Sequence, residues 1–374
     1  MIRRTRVEVD LGAIVANARS VRAFTGTELY AVVKADAYGH GAITVAQALM
    51  RARAAAGFAV SLVEEGVALR EAGIVAPILV MGPSQVAGED EIVAHRLTPV
   101  IGSDEDLAAL IACARRRNTP VDAHLKVDTG MGRLGVPLAE TAQLCTAAMR
   151  GGIQIVGLMT HFACADTDDP DDPHSMTRVQ LGRFAEADAA AVAAGAPIAL
   201  RHAANSSATL WFPAARFDRV RTGIAIYGNG KWPPGAAYQQ AMRLVTEVAQ
   251  VRSVPTGASV GYGALWRAER PSRVAVLPLG YADGLPRRAT GHALAAIRGH
   301  RVPLVGLISM DIVIADITDA PDVTVGDAAV MLGRASGGAS ISTAEYAAWA
   351  GVSEYEVTCG MSKRVPRTYV GDAP

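Results

Sequence analysis

Three small apolar residues, Ala31-Val32-Val33, run into a lysine, Lys34, and then into the turn-forming stretch Ala35-Asp36-Ala37-Tyr38-Gly39-His40-Gly41. A lysine that ends a buried strand sits at the rim of a sheet, where its amine can be desolvated and aimed at a ligand. Similar junctions recur. Residues 121–127 read as a strand that carries Lys126 and is followed by Asp128 and Arg133; His161 closes 155–160; Asn205-Ser206 follows 199–202; and the segment 220–226 contains Arg221, Gly223 and Ile224. Each has an ordinary explanation when taken singly, His161 as a satisfied core histidine and Arg221 as a salt-bridge partner. Gathered on one rim they are harder to explain by stability, because cations among buried strands cost desolvation. These residue types suit an aldehyde cofactor with a phosphate tail. A lysine forms a Schiff base, a serine hydroxyl and backbone N–H groups hold phosphate, and a charged group meets a pyridine nitrogen.

The elements that would position these residues follow a repeating pattern. Short apolar strands are expected at 29–33, 58–60, 78–81, 98–101, 121–127, 155–160, 199–202 and 220–226, with helices at 42–53, 64–72, 104–116, 138–150 and 176–194 between them. Ser103 followed by Asp104, Glu105 and Asp106 is a helix start, because the hydroxyl caps free N–H groups and the acids suit the dipole. Eight strands alternating with helices over some 200 residues fit an N-terminal (β/α)8 barrel, with an open doubly wound sheet as the competitor. Beyond residue 241 the pattern changes to strands at 245–251, 273–278, 294–298, 302–307 and 311–316, with one helix at 343–350. The fold class expected is therefore α/β plus β: a barrel over 11–240 and a mostly β domain over 241–374, with a first strand at 6–10 that could belong to the β domain. The acidic stretch 166–172 lacks the glycine and terminal glutamate of a calcium loop and reads as a solvated loop.

Composition narrows the function classes. The 374 residues hold 36 Lys+Arg against 36 Asp+Glu. This balance argues against a nucleic-acid or anionic-membrane binder, which needs a basic surplus. Four widely separated cysteines, Cys113, Cys145, Cys164 and Cys359, show no disulfide or metal-ligand spacing, so no metal is expected. The N-terminal arginines are followed by alternating residues instead of an apolar signal segment, and no run reaches a membrane span. A cytoplasmic protein is the expectation. Gly130-Met131-Gly132-Arg133-Leu134-Gly135 matches a dinucleotide-loop spacing. It follows the fifth strand instead of the first, and no acidic residue closes a later strand at the required distance. A tight rim turn is the better reading.

The chain resembles the alanine racemases, the fold-type III family that uses pyridoxal 5'-phosphate (PLP). The resemblance rests on Val33-Lys34-Ala35-Asp36-Ala37-Tyr38-Gly39-His40-Gly41, on Lys126-Val-Asp-Thr-Gly-Met-Gly-Arg133-Leu-Gly, and on Thr160-His161-Phe162 and Ala204-Asn205-Ser206. It continues through Arg221-Thr-Gly-Ile-Ala-Ile-Tyr-Gly, Gly261-Tyr262-Gly263, Gly280-Tyr281-Ala-Asp-Gly and Ser309-Met310-Asp311, in family order over nearly the whole chain.

The resemblance implies interconversion of L- and D-alanine by two bases. Lys34, which carries PLP, serves the proton of the D-enantiomer, and Tyr262 serves that of the L-enantiomer. His161 and Arg221 lower the tyrosine's pKa, and Arg221 also meets the ring nitrogen. Tyr38, Asn205, Ser206 and the backbone of Gly223 and Ile224 belong to the cofactor site, and Arg133, Met310 and Asp311 to the substrate site. Lys126 matches a position that is often carbamylated, and Tyr281 an entrance constriction. Lys363 stands where some members place a phosphate-binding tyrosine. Tyr262, Tyr281, Met310 and Asp311 are implied to enter a partner's site, so a homodimer with shared active sites is expected. The D-alanine would serve peptidoglycan-precursor supply or D-alanine breakdown. The rival readings are a broad-specificity racemase of this fold and a non-catalytic PLP-binding protein. A decarboxylase or aldolase is a third, against which Arg221 argues because those enzymes use an acidic ring-nitrogen partner.

Overall fold

The computed structural model describes residues 3–83, 88–236 and 238–371. Its chain divides into two compact units, one built from Ile14–Ile226 with Gly230–Tyr238, the other from the described residues 3–13, Tyr227–Asn229 and 239–371. The first is a nearly closed barrel of eight parallel strands. Glu28–Val32, Gly57–Val60, Ile78–Val80, Thr98–Ile101, Val121–Asp128, Ile153–Met159, Leu200–His202 and Arg219–Thr222 follow one another around it. The eighth strand pairs with the first, Arg221 opposite Tyr30. The seventh and eighth are joined by N–H donation from Asp218 to the Arg201 carbonyl (3.1 Å) and from Arg221 to that of Ala204 (2.9 Å).

The strands are short apolar runs because parallel strands are covered on both faces. Gly57–Val60 and Ile78–Val80 are buried throughout. A buried leucine in such a run, Leu79 for instance, contributes about 2 kcal/mol by leaving water. Helices Ala42–Arg51, Val63–Glu71, Asp104–Arg117, Thr141–Arg150 and Met176–Ala193 fill the connections, as does Gly88–Ala94, which carries no strong sequence signal. Ser103 caps as expected, its Oγ accepting from the Asp106 N–H at 3.1 Å.

Two boundaries in the barrel unit differ from those expected. The eighth strand stops at Thr222, and Ile224–Tyr227 is a 3-10 turn closed by the Ile226 N–H on the Gly223 carbonyl. Gly223 and Ile224 thus lie beyond the strand. The expected helix 138–150 opens with a 3-10 turn, Leu138–Glu140, and becomes α-helical at Thr141.

In the second unit one extended sheet runs Gln250–Val254, Ser272–Leu277, Val313–Asp316, His300–Val305, Leu294–Ile297, Ala328–Arg334, Met242–Glu247, Arg6–Asp10 and Arg367–Val370. The N-terminal strand pairs antiparallel with Met242–Glu247 and parallel with Arg367–Val370. The expected strand at 245–251 is in fact two. Met242–Glu247 pairs with Ala328–Arg334 while Gln250–Val254 pairs with Ser272–Leu277, so a strand-like run of mixed apolar and polar residues hides a change of partner at Val248-Ala249. The strand expected from 311 begins only at Val313, leaving Asp311 in a loop. No helix is long and apolar enough to cross a membrane among the described residues.

Candidate active site

The first barrel strand ends at Val32, two residues before Lys34, and the chain then turns the wrong way. Ala35, Asp36, Ala37 and Tyr38 have φ of 50°, 55°, 54° and 54°. Left-handed backbone costs an L-residue about 1–2 kcal/mol, so four in succession persist only if other contacts determine them. Those contacts are visible. Glu65 accepts the Ala35 N–H at 2.6 Å, Asp36 Oδ1 accepts the Ala42 N–H at 2.8 Å, and His40 Nδ1 reaches the carbonyls of Ala37 and Tyr38 at 2.9 and 3.1 Å. The turn brings the nearly buried Tyr38 against the barrel's last loop. A Cβ on Gly223 would lie 2.3 Å from the Tyr38 hydroxyl.

Around this turn the strand ends supply cations with little compensating charge. Lys126 is 5% exposed, and its ammonium makes no hydrogen bond among the described residues. Burial, together with the charges of Arg133, Arg221 and Lys34, pushes it down to about 8. Asp128 is the nearest carboxylate, and it is spent on the glycine turn: its oxygens accept the N–H groups of Gly130, Met131 and Gly132 at 2.8–3.1 Å. That nest is filled by a side chain and leaves no room for a pyrophosphate. Arg133 is exposed on the same turn.

Arg221 is 3% exposed and has no carboxylate partner among the described residues. Its Nη1 donates to the carbonyl and Nδ1 of His202, the latter at 2.9 Å. Its Nη2 donates to the carbonyls of Thr160 (2.7 Å) and Ala203 (3.0 Å), with His161 Nδ1 at 3.4 Å. Four of the five guanidinium hydrogens are therefore tied, and the Nε–H has no acceptor among the described residues. Burial pushes this guanidinium down to about 9, still charged at neutral pH. Burial and the charges of Arg221, Arg133, Lys126 and Lys34 hold His161 well below the usual imidazole range, so it is neutral.

Ser206 Oγ accepts the N–H of Gly223 at 3.0 Å and of Ala225 at 3.4 Å, which ties the seventh-strand loop to the turn after the eighth. Asn205 spends its side chain as the cap of helix Ser206–Trp211, accepting from the Ala208 N–H at 3.0 Å. The barrel thus brings together Lys34, Tyr38, Lys126, His161, Ser206, Arg221 and Gly223.

Residues that the sequence reading passed over hold this set in place. Gln180 donates to the His161 carbonyl (3.0 Å) and to Thr129 Oγ1 (3.1 Å), while His124 and His202 lie inside the barrel beneath Arg221. Two histidines within apolar strands were the available signal.

The second unit holds the remaining sequence-predicted residues, and they share a surface of that unit. Tyr262 lies in a 3-10 turn between Gly261 and Gly263 and is 71% exposed. Leu265, Tyr281, Met310 and Ile312 are also exposed. The loops meet through backbone bonds from Tyr281 to Ser309 and from Ala282 to Met310. Asp311 is paired with Arg364 at 2.6 Å, and Arg364 is in turn paired with the fully buried Asp283. Lys363 is exposed.

Residues 9–230 match the family model for the alanine racemase N-terminal domain, and residues 241–369 match that for the C-terminal domain. The chain belongs to the alanine racemase family. Among its relatives, the alanine racemase of Sorangium cellulosum is 42% identical over 98% of this chain and 99% of its own, and that of Symbiobacterium thermophilum 41% identical over 99% and 98%. The alanine racemase structure from D-cycloserine-producing Streptomyces lavendulae superposes with a TM-score of 0.91 at 35% identity, covering 99% of this chain and 98% of that one. The Bacillus anthracis alanine racemase with bound L-Ala-P gives 0.87 at 32% identity, covering 100% and 97%.

The cofactor of this family, PLP, fits what the barrel offers. Its anionic phosphate suits a rim whose cations outnumber its uncommitted carboxylates, the close approach of Tyr38 to Gly223 forms a cradle that a Cβ would fill, and the Arg221 Nε–H has no acceptor among the described residues.

Proposed function

We propose that Lys34 and Tyr262 are the two bases with which this chain carries out the PLP-dependent interconversion of L- and D-alanine, the activity of its family. The observation that carries this reading is the buried Arg221. It is a charged donor with no carboxylate among the described residues, and it faces a neutral His161 on a rim that also holds Lys34. When bound, PLP supplies an electron-withdrawing ring conjugated to Cα, which makes the α-hydrogen of the amino acid removable as a proton. Tyr38, Ser206 and the backbone of Gly223 and Ile224 hold the phosphate, with Asn205 fixing the loop that carries Ser206. Arg221 presents its Nε–H to the ring nitrogen.

Racemisation needs a proton taken from one face and returned on the other. Lys34 Nζ serves one face and Tyr262 Oη of the partner subunit serves the other. A phenol with its ordinary pKa near 10 is a weak base at neutral pH. His161 supplies the correction. Arg221 donates toward its Nδ1, so the proton of the neutral ring sits on Nε2, where it can be donated to the tyrosine oxygen. An arginine keeps its proton, so Arg221 does not protonate the ring nitrogen outright, and return of a proton to Cα is favoured.

The substrate carboxylate is oriented by Arg133, and by Met310 and Asp311 of the partner subunit, with Tyr281 narrowing the entrance. Lys126, depressed to about 8, has a reactive neutral fraction. Its amine adds to carbon dioxide with loss of one proton, and the resulting carbamate anion pairs with Arg133. The exposed Tyr262, Leu265, Tyr281, Met310 and Ile312 support a homodimer that buries them. A cytoplasmic enzyme supplying or consuming D-alanine, with peptidoglycan precursors as one outlet, suits the balanced charge and the separate thiols. A coupled assay of both directions on wild type and Tyr262→Phe tests the proposal. Full activity in the variant would refute the two-base assignment.

A further inference from the structure

Beneath Arg221 the barrel holds two histidines that the chemistry above does not use. His202 Nδ1 lies 2.9 Å from Arg221 Nη1, and His202 Nε2 lies 2.7 Å from His124 Nδ1. All three side chains are sealed from solvent, at 3% exposure or less.

The protons in this chain can be assigned by elimination. A guanidinium has donors only, so His202 Nδ1 is bare. The neutral ring then carries its proton on Nε2 and donates it to His124 Nδ1, which must also be bare. His124 keeps its own proton on Nε2. Protonating either ring would set one N–H against another. Burial and the charges of Arg221 and Arg219 act in the same sense, holding His202 well below the usual imidazole range and His124 down at about 3. The Tyr30 ring meets His202 edge-on at 5.8 Å, and the Arg219 guanidinium lies over that ring.

The barrel makes room for this arrangement. His124 interrupts the regular register between the fifth and sixth strands, and a Cβ on Gly157 opposite would lie 2.4 Å from its imidazole. A glycine there is the condition for a histidine here.

We propose that His124 is a positioning residue for Arg221: by accepting from His202 it fixes that ring, and the fixed ring anchors the guanidinium with its Nε–H left for the cofactor. This rests on the reading of Arg221 as the ring-nitrogen partner. The arrangement accounts for a buried arginine that needs no carboxylate. Its charge is met by carbonyls and by the bare nitrogens of two imidazoles, His202 at 2.9 Å and His161 at 3.4 Å.

The experiment has two arms. Isotope-edited NMR of the imidazole nitrogens in the holoenzyme should find His124 and His202 protonated on Nε2, bare on Nδ1, and unchanged between roughly pH 6 and 9. A proton on His202 Nδ1, or titration of either ring in that range, would overturn the proposal. The second arm compares His124→Phe, which cannot accept, with His124→Asn, whose Oδ1 takes the place of Nδ1. His124→Phe should lower kcat about tenfold or more with little change in KM, since it leaves a buried donor unmet. It should also shift the absorbance of bound PLP, and His124→Asn should recover both. Wild-type kcat and absorbance in His124→Phe, or equal impairment in His124→Asn, would overturn it. Should His124→Phe not fold, His124→Asn and the NMR assignment still decide. Wild-type PLP absorbance in Arg221→Gln would instead refute the ring-nitrogen assignment, so the two failures are distinguishable.

Discussion

His161 presents its Nδ1 to Arg221 Nη2 at 3.4 Å, which leaves the imidazole proton on the far nitrogen. A neutral histidine held in that tautomer by a buried cation is suited to donating to a phenolic oxygen. Tyr262→Phe should therefore lose exchange of the α-hydrogen of L-alanine with solvent while keeping exchange of that of D-alanine through Lys34. Racemisation should fall about a hundredfold or more, the usual contribution of a positioned base. NMR of each enantiomer incubated in heavy water reads both. Equal loss of exchange for the two would contradict the assignment of one base to each face.

Lys126 predicts a pH dependence of stability whose sign can be worked out. Its folded-state pKa of about 8 lies below the ordinary 10.5, so between those values the unfolded chain binds more protons than the folded one. Stability should then rise with pH across that window, with the full cost of a buried ammonium, about 3 kcal/mol, borne below it. Carbamylation removes the ammonium and with it the slope. Unfolding in buffer free of carbon dioxide should show the slope, bicarbonate should abolish it, and Lys126→Met should lack it in both. Isotope-labelled bicarbonate should give a carbamate resonance in wild type alone.

Gly223→Ala tests the phosphate cradle. The added Cβ would lie 2.3 Å from the Tyr38 hydroxyl and cannot be accommodated without moving that ring. PLP affinity should drop about tenfold or more, for one to two lost phosphate contacts, with the melting temperature of the PLP-free protein little changed. Unaltered affinity in a dialysis measurement would mean that Tyr38 does not hold the phosphate.

Glu65→Ala tests the left-handed turn after Lys34. The carboxylate holds the Ala35 N–H at 2.6 Å and also accepts from Ser61 and Leu62 at 2.8 and 3.0 Å. Its removal should cost about 1–3 kcal/mol in denaturant unfolding and weaken PLP binding, because the turn is held against its own strain. Glu65→Gln, which keeps one acceptor oxygen, should lose less.

The sequence revealed the cations on the rim because each interrupts or follows an apolar run: Lys34 after Ala31-Val32-Val33, Lys126 within a strand, Arg221 before Gly223. It did not reveal the turn at 35–38, whose residue types carry no signal for positive φ and whose support comes from Glu65, far along the chain. The partnership of His124 with His202 was hidden for a similar reason, since strands five and seven become neighbours across the interior only once the barrel closes. In the second unit the break at Val248-Ala249 was masked because apolar and polar residues keep mixing through it in a strand-like way, and a strand that changes partners need not change composition. The surface around Tyr262 was legible through its glycines, Gly261 at φ 78° and Gly263 at φ 69°, which shape the turn that exposes it.

A complete site is expected to take Lys34 from one subunit and Tyr262 from the other, and subunit mixing tests this most directly. Lys34→Ala and Tyr262→Phe are each expected to be nearly inactive alone. After mixing, dissociation and reassociation, a mixed dimer would carry one site with both bases intact and one with neither. Random pairing should then restore about a quarter of wild-type alanine racemisation. A mixture that stays as inactive as its parents, while mass spectrometry shows mixed dimers present, would contradict the claim.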